Sequence, residues 1–179
     1  MTTHDIATAL QRVDAILRRR PEQGLHDDAP ASARWQGGLR VIARHADGAE
    51  LATDMPAELG GSGSEPTPGW LFRAGIASCA ATTLVMQAAS QGIALTALEV
   101  SAHSRSDARG MFGIDAADGA AVQARPLEVR LRVRISAPGV APEHLRAFVE
   151  AACLLSPIPD AVRHGVPMTM AVDVDVETA

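Results

Sequence analysis

The chain has no lysine, no tyrosine and no asparagine, and only 2 cysteines, 2 tryptophans and 3 phenylalanines among its 179 residues. Without lysine, neither a lysine base nor a Schiff base is available to its chemistry. All 16 basic residues are arginine, set against 21 acidic ones for a net charge of −5. The longest basic run is Arg18-Arg19-Arg20, so the clustered basic face of a nucleic-acid binder is absent. The segment that comes closest to a membrane span, Ile76 to Ala89, falls short of the ~20 residues needed and carries Ser78, Thr82, Thr83 and Gln87. Neither a nucleic acid nor a membrane is therefore expected as a partner. The N-terminus lacks the basic and apolar regions of a secretory signal, and the expectation is a cytoplasmic protein. Two cysteines are too few for a disulfide scaffold. In a reducing compartment Cys79 and Cys153 read as buried small hydrophobes or as a redox couple.

The composition that remains, 47% hydrophobic and 21% charged, is that of a globular chain and not a disordered one. Its length suits one domain with an extra arm. Ile6, Leu10, Val13 and Leu17 recur at steps of three and four, which predicts an amphipathic helix over 5–19. Thr2 and Asp5 have the spacing of a capping box at its start, and Pro21 and Gly24 stop it. Residues 21–31, rich in Pro, Gly and Asp, read as a linker. A hairpin is expected over 33–54, with alternation from Arg34 to Arg44 interrupted at Gly37-Gly38 and Asp47-Gly48 as the turn. Residues 56–68 read as a plain loop, since their glycines fit neither a phosphate-binding nor a nucleophile-elbow pattern.

The strongest helix is predicted over 68–91. Thr67 is its cap, Pro68 its first residue, and Gly92 follows its end. Apolar nearly all round, it should be the central buried helix. Ala74, Gly75, Ala77, Ser78, Ala80 and Ala81 make a stretch of small side chains around Cys79 that lets another backbone come close. Beyond it come a strand over 98–104, a turn within 107–113, and a strand over 126–135 that alternates Leu127, Val129, Leu131, Val133 and Ile135 with charged residues. A helix over 142–155 turns Leu145, Phe148, Val149 and Ala152 inward. A short helix falls within 156–165 and a last strand over 168–176. Arg130, Arg132 and Arg134 are expected to face Asp173 and Asp175 across neighbouring strands. This order of elements is α+β.

The run Gly60 to Cys79 (GGSGSEPTPGWLFRAGIASC) resembles the OsmC/Ohr superfamily of organic hydroperoxide reductases, in which a Gly-rich loop leads through Pro, Glu and Leu-Phe to a small-residue helix carrying a cysteine. Pro68, Leu71, Phe72, Ala74, Gly75, Ala77 and Cys79 match that run. Gly37-Gly38 and Asp47-Gly48 keep the family's spacing upstream. Ser156-Pro157-Ile158 with Ala161 and Arg163 resembles its second-cysteine motif. The resemblance covers roughly 33–176, and divides the chain into an N-terminal helical arm and linker, 1–25, and an OsmC-like domain, 26–179. It implies an intertwined homodimer of curved, antiparallel-rich sheets wrapped around long central helices, with each active site at the subunit interface.

It also implies a chemistry. A thiolate attacks a peroxide and becomes a sulfenic acid, a second cysteine closes a disulfide, a dithiol reduces it, and an Arg held by a Glu stabilises the thiolate. No bound cofactor or metal is implied. Cys79 matches the attacking position. Gly69 stands at the Glu, Leu39 at the Arg with Arg40 one place later, and Ser156 at the second cysteine. The candidate catalytic residues are thus Cys79, Cys153 as resolving thiol (or an external thiol in its place) and Arg40, with Glu65 as a stand-in carboxylate. Arg163 is the alternative source of positive charge, although it is expected rather to neutralise a helix C-terminus or an acidic neighbour. The expected partners are an organic hydroperoxide, a thiol reductant and a second copy of the chain. The alternative is a non-catalytic relative that binds an apolar small molecule or partner at the dimer interface. A metal site is disfavoured, because His26, His45, His103, His144 and His164 lack the spacing of ligands on one helix face.

Overall fold

A computed structural model describes residues 2–174. Helix α1 spans Thr3–Arg19. Its capping box is formed, with the Thr2 side chain accepting from the Asp5 N–H and the Asp5 carboxylate accepting from the Thr2 N–H. A 3₁₀ turn at Pro21–Gly24 ends the arm. The next three strands, β1 (Ser32–Trp35), β2 (Val41–Arg44) and β3 (Glu50–Thr53), make one antiparallel sheet. The single hairpin expected over 33–54 is therefore two successive hairpins. The cause is Gly37-Gly38, where φ is +100° and +55°. Two consecutive residues at positive φ turn the chain back on itself, so the interruption in the alternation is a reversal.

Helix α2 spans Pro68–Ser90. The Thr67 side chain caps it by accepting from the Trp70 N–H, and Gly92 follows its end at φ +69°. Strands β4 (Ala97–Arg105) and β5 (Glu128–Ser136) form a second antiparallel sheet, joined through α3 (Ala108–Met111). Helices α4 (Pro142–Cys153) and α5 (Pro157–His164) complete the described chain.

The core is where α2, α4 and the β4–β5 sheet meet. Leu84, Ala88, Ala137, Leu145, Phe148 and Ala152 are buried together, and Leu98, Val100, Val133 and Ile135 pack onto them from the sheet. The face of α2 that enters it recurs every four residues: Ile76, Ala80, Leu84 and Ala88.

Three expectations change here. First, α2 is buried along that stripe and not all round, because one chain offers it α1, β4, α4 and α5 as neighbours. Trp70, Phe72, Val85 and Met86 remain 37–48% exposed. By length and mean hydropathy α2 also passes as a candidate membrane span, unlike the shorter run read from the sequence, and one stripe of it packs into the core. Second, the apolar stripe of α1 is covered only at its start. Ile6 is half-buried, whereas Val13, Ile16 and Leu17 are exposed. Third, the last strand is not formed over 168–174. A strand needs a ladder of partner N–H and C=O groups, and Met168, Met170, Val172 and Val174 meet none and are 73–87% exposed. The Arg row of β5 consequently does not face Asp173. Its opposite numbers on β4 are His103, Ser101 and Glu99, and Arg134 pairs with Glu99 at 3.5 Å. Asp175 and the end of the predicted strand lie outside the described residues.

Candidate active site around Cys79

Cys79 sits on α2 one residue short of the buried Ala80, so its side chain leaves the core stripe and turns to α5. Gly75, one turn earlier on the same face, lies against Ile158; a Cβ built on it would stand 3.9 Å from Ile158 Cδ1. The small-residue stretch thus admits the side chain of a second element.

What arrives is the start of α5. Ser156 is its N-cap residue, followed by Pro157, Ile158 and Pro159. An N-cap serine ordinarily accepts a hydrogen bond from the second or third N–H of its own helix. Here Ser156 makes no such bond. Its hydroxyl, wholly buried, donates instead to Cys79 Sγ at 3.2 Å. Pro157 and Pro159 have no N–H to give, and the N–H of Asp160 goes to the Ser156 carbonyl at 2.9 Å. The remaining donor of the first turn is the Ile158 N–H, which points at the same sulfur at 3.4 Å. The sulfur therefore takes the place of the capping oxygen, at the positive end of α5. Two donors converging on one sulfur are the polarity that a thiolate accepts.

Cys153 lies elsewhere in the packing. It ends α4 and packs against the core cluster, and both cysteines are free thiols. Burial pushes the Cys153 thiol up, and the nearby Arg163 guanidinium offsets part of that. Arg163 donates to the Cys153 carbonyl at 3.5 Å. It sits at a helix C-terminus, as expected of it.

Arg40 leads into β2 just after the Gly37-Gly38 reversal. Its guanidinium pairs with Glu65 at 3.0 Å, bringing together the arginine and the stand-in carboxylate across 25 residues of sequence. Both side chains are only partly covered, at 42% and 30% exposed, so the pair contributes about 1 kcal/mol or less. The sulfur's own hydrogen-bond partners among the described residues are Ser156 and Ile158, not Arg40.

The loop that carries Glu65 is stapled by a buried aspartate. Asp54, 2% exposed, accepts from the Ser62 hydroxyl and N–H and from the Met55 N–H. The Ser62 hydroxyl first, then the Met55 N–H, hold its carboxyl below the usual carboxylate range. The loop leaves no room for a side chain at Gly61, whose Cβ would fall 1.8 Å from the Met55 carbonyl oxygen. The sequence reading missed this staple and the two donors on Cys79. The second had a visible signal, because Ser-Pro-Ile-Pro leaves one N–H free in the first turn of its helix. No cluster of metal-ligating side chains is found among the described residues. A groove of about 850 Å³ runs between α4 and the β4–β5 sheet, lined by Leu98, Leu131, Val133, Leu145 and Val149, and is not part of the sulfur site.

The fold is α+β, with the central-helix cysteine met by two donors from the start of a neighbouring helix. The family model described as OsmC-like protein matches residues 61–171, and the chain belongs to that family. Solved structures share the fold. An OsmC-like protein from Mycoplasma pneumoniae superposes with a TM-score of 0.65 at 14% identity, over 79% of this chain and 91% of that one. The organic hydroperoxide resistance protein OsmC from Legionella pneumophila gives 0.57 at 23% identity, over 78% and 92%. The organic hydroperoxide resistance protein OhrB of Bacillus subtilis gives 0.51 at 23% identity, over 78% and 93%. No curated protein matches at the level of sequence.

Proposed function

We propose that the protein reduces organic hydroperoxides at the expense of thiols, with Cys79 as the attacking group. The observation that carries this reading is the convergence of the Ser156 hydroxyl and the Ile158 N–H on the Cys79 sulfur. A cysteine that is merely core filling meets carbon, whereas this one meets donors. Membership of a family whose solved relatives include organic hydroperoxide resistance proteins supports the same reading.

In the reaction the Cys79 thiolate attacks one oxygen of the peroxide, the O–O bond breaks, and the alkoxide leaves and takes a proton to become an alcohol. The sulfur is left as a sulfenic acid, oxidised by two electrons. Two equivalents of thiol, or one dithiol, return it to the thiolate and form water. Arg40, oriented by Glu65, supplies positive charge for the approach of the oxidant. The regenerating thiol is either Cys153 or an external one.

The reading includes a homodimer in a reducing, cytoplasmic setting. Support for the dimer is the apolar surface that one chain leaves uncovered: Trp70, Phe72, Val85 and Met86 on α2, and Trp35 at 70% exposed on β1. A partner surface would cover such side chains.

The test is peroxide consumption by purified protein supplied with cumene hydroperoxide and a dithiol. The wild type is expected to turn over and Cys79→Ser to stop at the rate of the dithiol alone. Equal rates for the two proteins would overturn the proposal.

A further inference from the structure

We infer that Ser156 is a catalytic residue of a one-cysteine cycle, in which its hydroxyl and the Ile158 N–H hold the Cys79 sulfur and a small external thiol, not Cys153, regenerates it. The inference rests on the peroxide reading above and specifies its second half.

The side chain that hydrogen-bonds the Cys79 sulfur ends in an oxygen. Ser156 Oγ stands 3.2 Å from Sγ and is wholly buried. A hydroxyl there favours negative charge on the sulfur before the attack. It has no sulfur with which to form a disulfide after it. The oxidised centre therefore stays a sulfenic acid until another thiol arrives. Cys153 is poorly placed to be that thiol. It is partly buried at the end of α4, packed against the core cluster, and leaving that packing opens a cavity. Burial also pushes its thiol up, which disfavours the thiolate, the attacking form. Cys79 and Cys153 are both partly exposed, so a small molecule reaches Cys79 without Cys153 leaving its packing.

The steps balance. Cys79–S⁻ and a hydroperoxide, with one proton, give Cys79–SOH and an alcohol. Cys79–SOH and a small thiol give a mixed disulfide and water. A second molecule of the thiol displaces Cys79 and leaves as the small-molecule disulfide.

The experiment treats the full chain with one equivalent of cumene hydroperoxide, then divides it between a 1,3-diketone sulfenic-acid trap and a monothiol such as β-mercaptoethanol. Free thiols are alkylated and the peptides mapped. Expected are trap adduct on Cys79 in one portion, mixed disulfide on Cys79 in the other, and alkylated Cys153 in both. A Cys79–Cys153 disulfide would overturn the inference while leaving the peroxide reading intact. An unoxidised Cys79 would overturn both. Ser156→Ala is expected to slow the oxidation of Cys79 by about ten-fold or more, the scale of one hydrogen bond to a charged acceptor. An unchanged rate refutes the role of the hydroxyl. Ser156→Cys tests the placement independently of rate, because it is expected to give an internal disulfide to Cys79 on oxidation. Failure to form that disulfide in a folded variant also counts against the inference.

Discussion

Replacing Gly61 by alanine perturbs the loop that joins the first sheet to the sulfur-bearing helix. The added Cβ would sit 1.8 Å from the Met55 carbonyl oxygen, 2.5 Å from its carbon and 2.8 Å from Asp54 Oδ1. The neighbours are backbone and a buried carboxylate, so no flexible side-chain tip can yield. The loop itself has to move by more than an ångström. The bonds at stake are Gly61 N–H to Pro56 O at 3.2 Å, Gly63 N–H to Met55 O at 3.1 Å and Ser62 N–H to Asp54 at 2.9 Å. At ~1 kcal/mol each, their loss destabilises the protein by about 2–4 kcal/mol. Glu65 follows four residues later, so the same movement separates it from Arg40. The matched control is Gly69→Ala, near the start of α2, where the nearest atoms to a Cβ are the Arg73 guanidinium at 3.7 Å and Thr67 Oγ1 at 3.8 Å. That contact is ordinary, and loss of glycine entropy should stabilise by about 0.4–1 kcal/mol. Urea unfolding of both variants gives the two signs, and the rate of Cys79 oxidation by cumene hydroperoxide reads the effect on Arg40. If Gly61→Ala unfolds at the wild-type urea midpoint, the steric argument is wrong. If it is destabilised yet oxidises at the wild-type rate, the assignment of charge to Arg40 fails instead.

Leu84→Ala removes a wholly buried side chain at the junction of α2, α4 and the second sheet and should cost about 2–5 kcal/mol by urea unfolding. The Asp54 carboxyl is held below its ordinary value in the folded state. Its contribution is therefore present above the unfolded carboxylate range near ~3.9 and is lost as pH falls through the lower folded value. Hydrogen exchange followed down that acidic window should find the Ser62 and Gly63 amides of the wild type opening, while Asp54→Asn should expose them already at neutral pH; equal protection in the two proteins at neutral pH would remove the staple. Met86→Glu places a charge on an exposed position of α2 and is expected to convert a dimer to a monomer in sedimentation velocity, with no shift if that position meets only solvent.

Local physics accounts for most of what could be read without coordinates. The Thr2–Asp5 box, the Thr67 cap with Pro68 behind it, and Gly92 after α2 each depend on residues within a few positions of one another, and helix ends are decided at that range. The alternation of Val129, Leu131, Val133 and Ile135 likewise marks the inward face of β5. The Gly37-Gly38 pair was visible too, but its meaning depends on backbone sign: at positive φ it reverses the strand that the pattern alone appeared to continue.

What the sequence determined by itself was the α+β order of elements, the central helix and the cysteine at its middle. Tertiary structure alone decided which atoms meet the sulfur, because Ser156 and Cys79 lie 77 residues apart and no periodicity extends over such a gap. It also decided that Arg40 meets Glu65, and that residues 168–174 carry a strand's alternation without a strand. The reason is the same in each case. A helix closes its hydrogen bonds within a few residues, while a strand or a polar contact needs a partner whose position only the folded chain supplies.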